Sequence, residues 1–311
     1  MERTDLRRPI PVRGLAQRRS RVGKSRFPGF RIVALVLIGC CACSSVRAQD
    51  ESFHWAYAAH FGTGRYALNG HSETVVLSVA PGWTWREPFL DQSGERRPGF
   101  RFLLPVAIGA YEFSSFNQIG NLNLGSINSI SAVPGVEIRI PMSERWTLKT
   151  LGFVGLGTET GGGTDARIFR LGFRSQLRFM PKKTELLLVN GIGRIGYSAD
   201  ADLSSQINLL LTGVDFRRPL QNRRIGGVPA NIHWHVLHTR YMDSLGLSLA
   251  EFSARPVNIS SEWELGVAMS KQVGSFNLWK LKLDRIGLAY RFGADGKFSG
   301  VGIVFKSLFD R

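Results

Sequence analysis

The chain has 311 residues, with 40 Lys and Arg against 24 Asp and Glu, a net charge of +16, and only three Cys. Hydrophobic residues make up 43%, yet mean hydropathy is −0.05. That excludes a bundle of transmembrane helices, because several spans of about 20 apolar residues would raise the value well above zero. The charge would point to nucleic acid only if it were carried by a folded surface. Instead, the first 48 residues hold eleven Arg or Lys against Glu2 and Asp5, leaving +9 there. The remaining 263 residues carry 29 basic and 22 acidic side chains, a modest +7. All three cysteines (Cys40, Cys41 and Cys43) also lie in the first segment.

That segment, residues 1–48, reads as an export signal. A basic stretch ends at Arg31, an apolar run follows over 32–38, and small residues come next. This is the order of a secretory signal peptide, and the apolar run is too short to span a membrane. Val46 and Ala48 occupy the −3 and −1 positions, which places cleavage between Ala48 and Gln49. A competing route is open: Leu37-Ile38-Gly39-Cys40 resembles a lipobox, in which Cys40 would be lipidated and become the new N-terminus. Either route exports the chain to an oxidising compartment. The mature part, residues 49–311, has no Cys and so no disulfide.

From there on the recurring pattern is alternation with period 2, the mark of half-buried strands. Phe53, Trp55, Tyr57 and Phe61 alternate with His54, Ala56, Ala58 and His60. A run over 75–80 follows. Phe100, Phe102, Leu104, Val106 and Ile108 then oppose Arg101, Ala107 and Gly109, and Val136, Ile138 and Ile140 oppose Glu137 and Arg139. Trp146, Leu148, Val154 and Leu156 share a face. Phe169, Leu171, Phe173, Leu177 and Phe179 oppose Arg170, Arg174, Gln176 and Arg178. Runs over 185–197, 207–216 and 232–242 lead to 245–254, where alternation is poorest. The cleanest case is 259–269, with Ile259, Ser261, Trp263, Leu265, Val267 and Met269 on one face and Glu262, Glu264, Gly266 and Ala268 on the other. A short run at 278–283 precedes Ile286, Leu288, Tyr290 and Phe292, and the last run carries Val301, Ile303, Phe305 and Phe309.

A β-sandwich or a lipocalin-like barrel would alternate too, with an outer face dominated by Lys, Glu and Thr. Here the polar face mixes charges with Gly, Ala and Ser, whereas the apolar face carries aromatics near strand ends. Trp55, Trp146, Trp263, Tyr290 and Phe309 are the candidate girdle residues. A lipid-facing apolar band, aromatic girdles and a polar lumen are the signature of a transmembrane barrel, and a lipid-crossing sheet has to close because no water satisfies an open edge. The expected fold is therefore all-β: a closed antiparallel transmembrane barrel of about twelve strands, within a range of ten to fourteen, occupying residues 49–311.

Arg170, Arg174, Arg178 and Arg291, with Glu262 and Glu264, are the candidate lumen-lining residues. Two readings of that lining stand side by side: an arginine row favouring anions in a small pore, or a narrow lumen plugged by Arg–Glu pairs. His233 and His235 share a strand face and His238 lies close by, but with no Cys and no acid nearer than Asp243 they are not assigned to a metal. His71, Ser72 and Glu73 are the residue types of a hydrolytic triad, yet three consecutive residues cannot face one another on a strand. Gly161, Gly162 and Gly163 lack the Lys-Ser/Thr pair of a phosphate loop. No catalytic, cofactor-binding or metal-binding residue is assigned, and no cofactor is expected.

The closing hairpin, Arg285-Ile286-Gly287-Leu288-Ala289-Tyr290-Arg291-Phe292-Gly293 and then Phe298-Ser299-Gly300-Val301-Gly302-Ile303-Val304-Phe305, resembles that of Gram-negative outer-membrane barrels. More narrowly it is similar to solitary barrels of the autotransporter translocator kind. The resemblance implies residence in the outer membrane, with membrane lipid and the barrel-assembly machinery as partners and no nucleic acid. The final strand departs from that pattern, since Ser307 interrupts its apolar face and Asp310 and Arg311 follow Phe309. Few residues precede the first strand, so secretion of a fused passenger is not expected. The function expected is structural or transport, with a barrel hydrolase (lipid deacylase or protease) or a surface adhesion barrel as alternatives. A hydrolase would need a His, a Ser and an acid converging at one extracellular rim.

Overall fold

The computed structural model describes residues 58–68, 72–111, 127–159, 165–180, 184–199, 204–247, 257–278 and 281–305. Twelve strands among them form a ring. In chain order they are β1 (Gly64–Leu68), β2 (Ser72–Val79, continued by Gly82–Arg86), β3 (Gly99–Leu103, continued by Val106–Tyr111) and β4 (Ile127–Ala132, continued by Gly135–Pro141). Next come β5 (Trp146–Glu159), β6 (Ala166–Phe179), β7 (Glu185–Ala199), β8 (Ser204–Ile225) and β9 (Val228–Leu247). The last three are β10 (Val257–Lys271), β11 (Ile286–Gly293) and β12 (Phe298–Val304). Each strand pairs antiparallel with the next, and β12 returns to β1 with Gly302 opposite Gly64 and Phe298 opposite Leu68. Closure removes the exposed sheet edges that an open sheet of this size would present.

Proline explains why three neighbouring strands are each built in two pieces. Pro81, Pro105 and Pro134 sit at the breaks of β2, β3 and β4, and a proline has no N–H to give to the ladder. Each still accepts from its neighbour: Leu104 N–H donates to Pro81 O at 2.9 Å, Val133 to Pro105 at 2.9 Å and Val154 to Pro134 at 3.0 Å. The strand β5 has no proline and crosses the belt unbroken. It comes so close at Gly155 that a Cβ there would lie 2.1 Å from Ala132 O. Elsewhere the hairpin joining β8 to β9 turns on Gly226 and Gly227, both with positive φ (57° and 80°). That is the requirement of a two-residue type I′ turn.

The period-2 pattern sorts side chains between the two faces of the ring as the alternation predicts. On β10, Glu262, Glu264 and Ala268 are buried while Trp263, Leu265, Val267 and Met269 are exposed. On β5, Lys149, Leu151 and Phe153 point in while Trp146, Val154 and Leu156 point out, the last two 69% and 65% exposed. The outer face is thus apolar although its side chains are exposed among the described residues.

Part of the interior is apolar as well. Tyr66 of β1, Leu151 and Phe153 of β5, Ile168 of β6, Ile195 and Tyr197 of β7, Ile207 of β8, Tyr241 of β9 and Phe298 of β12 belong to one buried cluster spanning the lumen. A short helix, α1 (Ala58–Phe61), lies against β2, β3 and β4 and adds Phe61 to it. The Phe61 ring is 5.8 Å from that of Phe298, and its carbonyl accepts from Tyr66 Oη at 2.5 Å.

Four expectations are corrected by this arrangement. The alternation ending at Phe61 is not a strand where it is described, because Ala58–Phe61 is helical. Ile259 faces the interior rather than lipid, since the β9–β10 pairing shifts register between Arg240 and Leu245 and so reverses which residues point inward. The run beginning at Leu245 is no separate strand, because 245–247 continue β9; 248–254 lie outside the described residues. The run at 278–283 belongs to a small hairpin, Phe276–Leu278 with Leu281–Leu283, outside the ring.

Candidate functional site

Because the ring is antiparallel, the connections 87–98, 142–145, 180–184, 226–227 and 272–285 all lie at the end where β1 begins and β12 finishes. That end is the near mouth. Close to it, the inward faces of β8, β9 and β10 and the residue preceding β11 bring a buried polar group together. Asp215 is opposite His235 in the β8–β9 pairing, and Asn231 is opposite Ser270 in the β9–β10 pairing. Same-face neighbours one step along a ladder lie within reach of one another. His233 therefore sits between Asp215 on one side and Ser270 on the other.

The distances follow from this register. His233 Nε2 is 2.8 Å from Ser270 Oγ, and His233 Nδ1 is 3.6 Å from Asp215 Oδ1. Asn231 Nδ2 donates to the same Ser270 oxygen at 3.3 Å. Arg285 reaches across from the start of β11 and donates to Asp215 Oδ2 at 2.6 Å. All five side chains are buried. A little deeper, Glu264 takes an ion pair from Arg291 on β11 and lies 3.4 Å from His235 Nε2.

The proposed lumen residues fall into three groups. Arg174, Arg291, Glu262 and Glu264 are buried inside the ring, and Arg170 is half-buried over the Phe153 ring at 5.9 Å. Arg178 stands at the near mouth, half-exposed and 2.7 Å from Glu185. The Arg–Glu pairing recurs across the ring, where Arg139 is bonded to a fully buried Glu137. Of the girdle candidates, Trp146, Trp263 and Tyr290 face outward. Trp55, Phe309, the cleavage pair Ala48 and Gln49, and Cys40 lie outside the described residues.

The three histidines separate. His233 and His235 point into the lumen, and His238 points out, its ring 4.4 Å from that of Trp263. The expectation that no acid accompanies them is corrected, since Asp215 and Glu264 arrive from the neighbouring strands. Among the described residues no group of three or more His, Cys, Asp or Glu is placed to hold a metal ion. Sequence reasoning missed Asp215, Ser270 and Arg285 as partners of His233. Their inward parity was readable from alternation, but which inward residue meets which depends on strand register.

No family model matches the chain, and no curated protein matches it. The chain is similar to three solved structures. The β domain of the Bordetella autotransporter Brka shares 13% identity over 78% of this chain and 91% of that chain, with a TM-score of 0.43. The translocator domain of autotransporter NalP from Neisseria meningitidis shares 11% over 77% and 84%, with a TM-score of 0.44. The transport unit of the autotransporter AIDA-I from Escherichia coli shares 10% over 88% and 97%, with a TM-score of 0.42. The fold itself rests on the pairing of the strands. It is a closed, twelve-stranded antiparallel barrel.

Proposed function

We propose that the protein is an outer-membrane barrel with a structural or transport role, autotransporter-like in its barrel, whose lumen is filled in its resting state. The observation that carries this reading is the apolar outer face of a closed ring. Val154, Leu156, Leu171, Leu265, Val267, Leu288 and Val301 are all exposed on it, from five different strands. Such a face is costly in water and favourable in lipid. In this reading residues 1–48 are the export signal, outer-membrane lipid surrounds residues 49–311, and the barrel-assembly machinery inserts them. Neither a cofactor nor nucleic acid takes part.

The filled lumen is supported by the apolar cluster that spans it and by the pairing of its charges. Arg139, Arg285 and Arg291 each meet a buried carboxylate, so these three charges are bound up in pairs inside the ring. The transport reading therefore takes the form of a plugged barrel and not of a constitutive anion pore. In planar lipid bilayers the folded protein is expected to show no steady unit conductance. Discrete open-channel steps with anion preference would overturn the filled lumen. Recovery in the soluble periplasmic fraction, with no heat-modifiable gel mobility, would overturn the membrane placement.

A further inference from the structure

We infer that Ser270 and His233, positioned by Asp215, form a hydrolytic site for carboxylic esters inside the near mouth. The Ser270 hydroxyl accepts from Asn231 and lies 2.8 Å from His233 Nε2, so that with the imidazole proton on Nδ1 the serine donates to Nε2. The other ring nitrogen faces Asp215 Oδ1 at 3.6 Å. Arg285 engages Asp215 through its second oxygen, Oδ2, which leaves Oδ1 free to hold the Nδ1–H tautomer. A nucleophile within hydrogen-bond reach of a base that is oriented by a third group is how a triad is recognised, independent of fold or chain order. The long Asp–His contact fits a resting site, in which catalytic hydrogen bonds tighten only once substrate is bound.

Ser270 is one residue from the end of β10, and the turn that follows it at Gln272 and Val273 is exposed. The site therefore lies near the end of the barrel and not at mid-lumen. Arg285, at the end of the 272–285 connection, holds Asp215 in place. A role confined to plugging the lumen needs charge pairs, as at Glu264 and Arg291, but does not need a neutral serine aligned on the far side of a histidine from an acid.

The chemistry balances without any further reactant but water. Ser270 Oγ bonds to the ester carbonyl carbon and passes its proton to His233 Nε2, while Asp215 stabilises the imidazolium. The bond from carbonyl carbon to alkoxy oxygen breaks, and the departing alcohol takes the proton from Nε2. Water then adds to the acyl-serine, giving its proton to Nε2; the carboxylic acid leaves and Ser270 regains its proton.

The test uses the full barrel folded in detergent micelles, with heat-modifiable gel mobility as the folding control for every variant. A fluorophosphonate probe is expected to leave one adduct, mapped to Ser270 by mass spectrometry, and 4-nitrophenyl butyrate to be hydrolysed. Ser270→Ala should abolish the adduct and lower hydrolysis about 1,000-fold or more, and His233→Ala should do nearly the same. Asp215→Asn should slow labelling at neutral pH about 100-fold or more and give a rate that rises with pH, because serine ionisation then replaces the lost base. A merely structural Asp215 would not change that pH profile. Folded wild type that takes no adduct, or an adduct and hydrolysis that persist in Ser270→Ala, would overturn the assignment.

Discussion

Replacing Glu264 by Ala is expected to lower the unfolding free energy of the barrel by about 3–5 kcal/mol. Glu264 is 2% exposed, stands directly opposite Arg291 in the β10–β11 pairing and has His235 on its other side. Its removal leaves the Arg291 guanidinium buried without its carboxylate, and that uncompensated charge is the main cost. Replacing the pair together, Glu264→Leu with Arg291→Leu, should recover part of the loss, because neither member of the pair is then left without the other. Urea unfolding of the protein in lipid vesicles measures both, from the midpoint at unchanged slope. A loss below about 1 kcal/mol for Glu264→Ala would mean that water screens the pair, as it does exposed ion pairs. The filled lumen would then be wrong.

Leu265→Arg lies one residue along the same strand and on its outer face. Leu265 is 44% exposed and lies between Glu264 and Gly266, both on the inner face. In a bilayer an arginine near the middle of a lipid-facing strand is expected to cost about 2–4 kcal/mol. On a water-facing surface the same change should stay within about 0.5 kcal/mol. The measurement is the unfolding midpoint in vesicles, compared with Gln272→Arg in the exposed turn after β10, which should leave stability unchanged. Equal, small effects at both positions would refute a lipid-facing wall. Glu264→Ala and Leu265→Arg are adjacent in sequence and test opposite faces, so a single strand reports on lumen and lipid separately.

Much of the wall was legible in the residues. The alternation over 146–156, 169–179 and 286–292 specified strand, face and lumen side, because a strand has a side-chain period of two and a closed ring has only an inside and an outside. It failed where a local feature broke the period. Phe61 looks like one more alternating aromatic, yet its turn is helical and its ring fills the lumen. Ile259 kept its place in the sequence pattern while a register shift between β9 and β10 turned it inward. The proline breaks in β2, β3 and β4 were visible as Pro81, Pro105 and Pro134, but their alignment into one belt was not.

The candidate site divides along the same line. By itself the sequence determined that His233 and His235 share a face, that Arg291 and Glu264 alternate with lipid-type residues, and that the mature chain carries no cysteine. These follow from order along one strand. Only the tertiary structure decided that Asp215 and Ser270 flank His233, that Arg285 caps Asp215 and that Glu264 stands against Arg291. Those partners come from strands separated by up to 70 positions. Pairing between strands is set by the cooperative closure of the whole ring, in which each register constrains the next, and no single segment contains that information.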